Sequence, residues 1–437
     1  MTLHYRSAQP TTSGLDVTSV EGRLLALMLR SVATDGYRFV DPTDASRYSL
    51  PGCVLASPSY PVEEAAINQD YVYNWTRDAA VTAFELAAAT GPAAAGIAAT
   101  LADYVRFADV CQSNTEVPTA RGCYLIDASA RNWTDQSDGP ALRILAVLQI
   151  LPRLDPASRT IAERVLGKDL DCVLEVYTAR TTSLWEEHTG WSFFARSVQL
   201  RALREAATSP YAAERMDAII MATAALADAL VTHWTGAHYA TLLGGDQPAG
   251  YDPNADILMA CIYGAVDVLD SKLLATVSAL HAQWTEPDSP YVYPVNLDDA
   301  ARGIGPLLGR YPDDHYDGDT GDKNSGDRHP WALVTCNAAE LYYRVAARLG
   351  SSTDLVIDDR TTVFYQQVGI GVGTSILDAR TLLGRAGDRM LQAVLFHSDH
   401  LELSEQFDGT TGYQKSVQNL TWSYAAFLSA LRARRTN

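Results

Sequence analysis

Two acidic motifs far apart in the chain carry the residue types that acid–base catalysis requires. Glu186 and Glu187 are adjacent and lie between Trp185 and the aromatic run Trp191–Phe194, and Glu405 lies in a Ser-Glu-Gln triplet. A carboxyl group packed against aromatic surface loses hydration, which raises its pKa towards the range of a general acid. Hydrolysis of a glycosidic bond needs two such carboxyls, one on each side of the bond. Each motif alone also fits a solvated helix start or a loop.

Two further segments combine aromatic and charged residues. Residues 71–78 read Tyr-Val-Tyr-Asn-Trp-Thr-Arg-Asp, and residues 309–316 read Gly-Arg-Tyr-Pro-Asp-Asp-His-Tyr. Sugars bind through flat apolar faces for their C–H groups and through forked polar groups for their hydroxyls. Arg310 could bind hydroxyls, with Asp313 and Asp314 orienting it. The alternatives are a helix start, with Asp78 favoured by the helix dipole, and a solvated surface turn.

Metal, cofactor and thiol chemistry find little support. The segment 317–322 is similar to a calcium loop, but it lacks the fifth-position Asp or Asn and the terminal Glu, so we expect neither a metal nor a cofactor. No two of the six cysteines form a C-x-x-C pair. Free buried thiols are the favoured interpretation, and a disulfide between Cys111 and Cys123 is the alternative.

The elements that must position these motifs are mostly helices. Apolar residues recur at a period near 3.6 from Val17 to Leu29, with Asp16 or Ser19 as the expected N-cap, after a loose tail over 1–14. Residues 34–74 read as a loop, and the only strand candidates are Tyr239–Leu243 and Tyr291–Asn296. The pattern predicts further helices near 76–90, 92–112, 139–152, 157–177, 190–207, 211–233, 254–267, 271–286, 330–349, 353–369, 373–396 and 418–434. About a dozen helices without alternating strands disfavour a parallel α/β fold and suggest helix pairs arranged in a ring.

Charge and composition restrict the partners. The 437 residues are 47% hydrophobic and carry a net charge of −18, which favours a neutral substrate over nucleic acid or an anionic membrane. No segment approaches the roughly 18 apolar residues that a membrane span needs. The N-terminus lacks the apolar stretch of a signal peptide, so we expect an intracellular protein or a mature form without its signal.

The motifs together resemble glycoside hydrolase family 15, the glucoamylases, in its fungal-type catalytic domain. The matching strings, in the order of the family, are YNWTRD, SDGPALR, LWEEHTGWSFFARSVQLRAL, GRYPDDHY, LSEQFDG and NLTWSYAAFLSAL. The resemblance implies an all-α fold, the (α/α)6 barrel. It also implies one catalytic domain over 1–437, without a starch-binding domain.

The resemblance further implies an inverting, exo-acting hydrolase that releases β-D-glucose from the non-reducing ends of maltooligosaccharides or starch-type substrates. Glu186 matches the general acid and Glu405 the general base, with their carboxyls expected about 6.5–9.5 Å apart. Ser416 matches a hydroxyl that binds the base. The other residues expected to bind substrate are Tyr71, Trp75, Arg77, Asp78, Trp133, Leu184, Trp185, Glu187, Arg310, Asp314, Tyr316, Trp331 and Trp422.

Departures from the family pattern leave open which glycosidic linkage is cleaved. The segment between Trp133 and Asp138 is short and lacks the family's arginines, Phe407 replaces a tyrosine, and the insert 317–328 is long. A trehalase or an α-1,6-specific glucodextranase of the same family is the alternative substrate class. A non-catalytic glycan-binding barrel is the alternative of a different class, although it would be expected to lose one of the two glutamates. We expect a monomer.

Overall fold

A computed structural model describes residues 17–58, 71–90, 96–114, 120–320, 325–352 and 354–436. The expected tail over 1–14 and Asp16 lie outside these ranges. Ser19 is not the N-cap, because the first helix already begins at Val17. The helices are α1 Val17–Leu29, α2 Thr76–Ala88, α3 Ile97–Ser113, α4 Asp138–Ile150, α5 Pro156–Val176, α6 Phe193–Ala207, α7 Met216–Val231, α8 Ala255–Ile262, α9 Ser271–Thr285, α10 Pro294–Arg302, α11 Ala332–Leu349, α12 Thr362–Gln366, α13 Ile376–His397 and α14 Thr421–Arg435.

Strands are short and lie between the helices. They are β1 Asn74–Trp75, β2 Cys123–Tyr124, β3 Thr181–Thr182, β4 Thr189–Ser192, β5 Leu242–Leu243, β6 Gln406–Phe407 and β7 Gln414–Lys415. All pairs are antiparallel: β1 with β2, β3 with β4 and β4 with β5, and β6 with β7. These pairings shape loops and do not build a sheet core.

Six helices form a closed inner ring. Around the ring, α2 packs on α4, α4 on α6, α6 on α8, α8 on α11, α11 on α14, and α14 again on α2. Outside them lie α1 against α14, α3 and α5 against α2 and α4, α7 against α6, α9 against α8, and α13 against α11. Six inner and six outer helices make the predicted (α/α)6 barrel.

Burial explains which helices lie inside. Helix α11 has buried residues on every face, as expected for a helix enclosed by others. The outer helix α5 instead buries one stripe and turns its charged residues to solvent. Where α13 crosses α11, a Cβ on Gly387 would lie 2.7 Å from the ring of Tyr343. A glycine is therefore needed for this close approach.

The alternation of outer and inner helices along the chain determines where the loops gather. Because each inner helix follows an outer helix, the inner helices run parallel and begin at the same end of the barrel. The segments carrying the candidate motifs directly precede α2, α6, α11 and α14. The fold thus brings motifs separated by hundreds of residues to one end, where helix N-termini also converge.

Several local predictions are corrected by the structure. Tyr291–Asn296 is not a strand, because Pro294 begins α10; proline lacks an N–H but fits the first turn of a helix. The helix predicted over 353–369 is reduced, in its described part, to Thr362–Gln366. The helix predicted from 190 begins at Phe193, since residues 190–192 belong to β4.

The predicted loop over 34–74 is irregular in its described part, apart from isolated bridges and the start of β1. All six cysteines are buried and none is in a disulfide, so the alternative bridge between Cys111 and Cys123 is not formed. Among the helices that the structure describes, none combines the length and apolar character needed to span a bilayer.

Candidate active site

Glu186 lies in a strained turn just before β4. Its φ is +65°, a conformation that non-glycine residues rarely adopt and that often marks functional positions. Its backbone N–H donates to the carbonyl of Ser183 at 3.0 Å, and its Oε1 accepts from Arg77 Nη2 at 2.9 Å. Burial raises the pKa of Glu186 to about 7, against the opposing effect of the Arg77 guanidinium. A carboxyl with this pKa can carry a proton near neutral pH.

Glu405 lies at the start of the β6–β7 hairpin in a different environment. Its Oε2 accepts hydrogen bonds from the Tyr71 hydroxyl and from Ser416 Oγ, both at 2.6 Å. Burial raises the pKa of Glu405 to about 7, although both hydroxyl bonds favour the ionised form and lower it. Two O–H donors on one oxygen hold the carboxylate in a fixed orientation.

A charged cluster lies where α2 and α4 begin. Arg77 Nε lies 3.5 Å from Asp78 Oδ2, and Arg77 Nη1 lies 3.5 Å from Asp138 Oδ2. All four atoms are buried and have no hydrogen-bond partner among the described residues. Buried polar atoms without partners are rare, so this cluster suits a polar ligand that would complete the bonds. Asp138 was not among the predicted site residues, although it stands in the matched string SDGPALR.

Arg310 is the centre of a second charged cluster. Its guanidinium donates to both oxygens of Asp314, at 2.8 and 2.6 Å, and to Glu187 Oε1 at 3.1 Å. The Tyr311 hydroxyl donates to the other oxygen of Glu187 at 2.8 Å. Asp313, which was also expected to orient Arg310, is half exposed and instead faces His315. Tyr311 is a site residue that the sequence reasoning missed.

Aromatic rings surround these clusters. The guanidinium of Arg310 lies 5.3 Å from the ring centre of Trp185, 5.2 Å from that of Tyr316 and 4.7 Å from that of Trp331. The guanidinium of Arg77 lies 5.2 Å from the ring centre of Trp422. These flat apolar faces next to charged groups are the combination that sugar binding requires.

The remaining predicted residues occupy the margins of the site. Trp75 and Trp133 meet edge to face with ring centres 5.6 Å apart. The Trp185 indole donates to Asn254 Oδ1 at 2.8 Å, a partner that sequence reasoning did not identify. Leu184 is buried within the main hydrophobic core, so only its backbone could meet a ligand.

Tyr316 lies near both candidate catalytic glutamates. Its hydroxyl lies 3.0 Å from that of Tyr71. Burial raises the pKa of Tyr316, and the charges of Glu405 and, more weakly, Glu186 add to the rise. Both glutamates therefore lie within electrostatic reach of one phenol. An arginine-paired carboxyl and a hydroxyl-bound carboxyl at one barrel mouth can serve as an acid and a base.

Three comparisons bear on this site. The model of the family described as glycosyl hydrolases family 15 matches residues 27–432. The intracellular sporulation-specific glucoamylase of Saccharomyces cerevisiae is 26% identical over 88% of this chain and 79% of its own. Glucoamylase 1 of Rhizopus oryzae is 28% identical over 84% of this chain and 65% of its own. The solved family 15 glucoamylase of Hypocrea jecorina shares the fold with a TM-score of 0.78, at 24% identity, over 96% of this chain and 72% of that one.

Proposed function

This chain belongs to the glycosyl hydrolases family 15, and on that premise we propose that it is an inverting exo-glucosidase that releases β-D-glucose from the non-reducing ends of α-1,4-glucans. The observation that carries the proposal is the contrast between the surroundings of the two glutamates. Glu186 is paired with Arg77, whereas Glu405 accepts two hydroxyl hydrogen bonds on one oxygen. We infer the roles of all site residues from this contrast and from the family motifs.

In the proposed reaction, Glu186 donates its proton to the glycosidic oxygen as the bond to the anomeric carbon breaks. Glu405 removes a proton from a water molecule, and the water oxygen bonds to the anomeric carbon from the opposite face. Glu186 is left ionised beside Arg77, which stabilises that charge, and Glu405 is left protonated. Both return to their starting states by exchanging protons with solvent.

The structure supports action at chain ends. Buried ion pairs obstruct the end of the barrel opposite the site. Arg432 of α14 binds both oxygens of the buried Glu85 on the neighbouring inner helix α2, and within α11 Arg344 binds the buried Glu340. A glucan chain could therefore enter but not pass through. We propose that Arg77, Asp78 and Arg310 bind the hydroxyls of the terminal glucose.

The substrate class follows from the relatives. Both curated relatives described above are named glucoamylases, which favours starch-type glucans over the alternatives of trehalose and α-1,6-glucans. Trp133 and its neighbours, where the chain departs from the family pattern, are proposed to bind the sugar on the leaving side. No observation favours a non-catalytic glycan-binding barrel, since both glutamates are present at the barrel mouth.

The test is glucose release from maltoheptaose, isomaltose and trehalose by the wild-type protein and by Glu186→Gln and Glu405→Gln. We expect maltoheptaose to be the best substrate and each variant to lose about 10²–10⁴-fold in kcat while retaining substrate binding. Asp313→Asn is the matched control, because this half-exposed carboxylate lies near the site but outside both charged clusters. Near-normal activity in either glutamine variant would refute the assigned roles.

A further inference from the structure

We propose that Asp319 is a positioning residue for the base: its carboxylate holds the backbone of Ser416 so that the Ser416 hydroxyl donates to Glu405. The inference rests on the proposed function, in which Glu405 removes a proton from water. Asp319 belongs to the segment 317–328, which we interpreted from the sequence as an insert in the family pattern. The insert therefore contributes to the site from outside the hairpin that carries Glu405 and Ser416.

The contact between Asp319 and Ser416 is direct. The backbone N–H of Ser416 donates to Asp319 Oδ1 at 2.7 Å, and the Ser416 hydroxyl donates to Glu405 Oε2 at 2.6 Å. One residue thus joins the insert to the base through its backbone on one side and its side chain on the other. Hydrogen bonds to an ionised carboxylate are among the stronger ones in proteins.

Ser416 needs such a constraint because of its conformation. Its φ is +63°, in the left-handed region that residues with a Cβ rarely adopt. Such conformations persist only where the surroundings enforce them. If the hydrogen bond from the Ser416 N–H to Asp319 were lost, the backbone could relax to negative φ and turn the hydroxyl away from Glu405.

Asp319 is itself held on its other side. Lys415 Nζ lies 2.8 Å from Asp319 Oδ2 and 3.1 Å from Asp317 Oδ1, and the N–H of Asp319 donates to Asp317 Oδ1 at 2.9 Å. The two carboxylates that gave the segment its similarity to a calcium loop therefore share one ammonium group, which offsets one of their two negative charges. Within the described residues, no group of three candidate ligands is placed to hold a metal ion.

The insert also approaches the base closely. A Cβ added to Gly318 would lie 2.0 Å from Ser416 Oγ and 2.9 Å from Glu405 Oε2. The backbone N–H of Gly318 donates to Gln406 Oε1 at 2.9 Å, which ties the insert to the residue following the base. Residues 317–319 therefore pack directly behind the base, where they can determine the position of Ser416.

The experiment compares Asp319→Ala, Asp319→Asn and the control Asp327→Ala, an exposed aspartate of the same insert. The Ser416 hydroxyl favours the ionised base, so its displacement raises the pKa of Glu405 and moves the acid limb of the kcat/KM profile to higher pH. At a pH below the acid limb of the wild type we expect Asp319→Ala to lose about 10-fold in kcat/KM. This is the lower end of the effect expected from losing a hydrogen bond to a charged group. Asparagine retains an oxygen for the Ser416 N–H and should restore part of the loss, while Asp327→Ala should behave as wild type.

A second background separates positioning from a merely structural role. In Ser416→Ala the hydroxyl is already absent, so adding Asp319→Ala should cause no further movement of the acid limb. The inference would be overturned if Asp319→Ala moved the acid limb equally in the wild type and in Ser416→Ala. It would also be overturned if Asp319→Ala alone left the acid limb in place. Thermal unfolding of each variant verifies that it is folded. A wild-type protein without glucosidase activity would instead refute the proposed function.

Discussion

Replacing Tyr71 with phenylalanine removes one of the two O–H donors from the proposed base and leaves the ring in place. The Tyr71 hydroxyl lies 2.6 Å from Glu405 Oε2, and burial raises the pKa of Tyr71 well above its ordinary value, so the phenol remains a donor. Because the ring is retained, the substitution creates almost no cavity. Its effect should therefore report the hydrogen bond and little else.

The magnitude follows from the charge on the acceptor. A hydrogen bond to an ionised group contributes about 1.5–3 kcal/mol, and a tenfold change in an ionisation constant corresponds to about 1.4 kcal/mol. Loss of the bond would thus raise the pKa of Glu405 by about 1–2, and we expect about 1 because the Ser416 hydroxyl remains and water can replace the phenol. The base acts in its ionised form. At a pH below the acid limbs of both the wild type and Tyr71→Phe, this rise in pKa should therefore lower kcat/KM about 10-fold.

The assay is the pH dependence of kcat/KM for glucose release from maltoheptaose. Tyr316→Phe is the matched control: its hydroxyl lies 3.0 Å from that of Tyr71, so it affects Glu405 only indirectly and should move the acid limb less. An acid limb that stays in place in Tyr71→Phe would refute the role of the phenol.

Two other substitutions test the packing behind the site and the far end of the barrel. Gly318→Ala should displace the Ser416 hydroxyl, since the added Cβ would lie 2.0 Å from it. We expect a loss of about 10²-fold in kcat with normal thermal stability. A wild-type kcat would contradict this packing. Arg432→Met leaves the buried Glu85 without its bidentate partner. We expect the free energy of unfolding in urea to fall by about 3 kcal/mol, the lower part of the range for a broken buried ion pair, because Arg432 is a third exposed. In the folded protein kcat/KM should be unchanged. An unaltered urea midpoint would show that Glu85 needs no partner.

Helical periodicity predicted most of the barrel because its long helices bury regular apolar stripes. It failed where tertiary context decides, as in Tyr291–Asn296, whose β-rich composition was overridden by a proline at a helix start. It also missed most of the two-residue strands, because strands as short as β6 and β7 show no alternation, and because β1 pairs with the distant β2. The helix count suggested helix pairs in a ring, but the pattern did not show which helices close it, since neighbouring inner helices are separated by an outer helix.

The candidate site was predictable to the extent that its chemistry is local. Arg77, Glu186 and Glu405 stand in dense aromatic and acidic motifs, and the structure places all three at one barrel mouth. Asp138, Tyr311 and Asp319 also stand in segments that the sequence singled out, but they were missed because the proposed role of each depends on a partner in another segment. Their signal is the distance to that partner, which a single sequence does not contain.

The most direct test of the account is proton NMR of the first glucose released from maltoheptaose. Glu186 as acid and Glu405 as base require water to attack from the face opposite the leaving group. The first glucose released should therefore be the β anomer, seen before mutarotation mixes the anomers. Release of α-glucose would contradict inversion and the division of roles between the two glutamates.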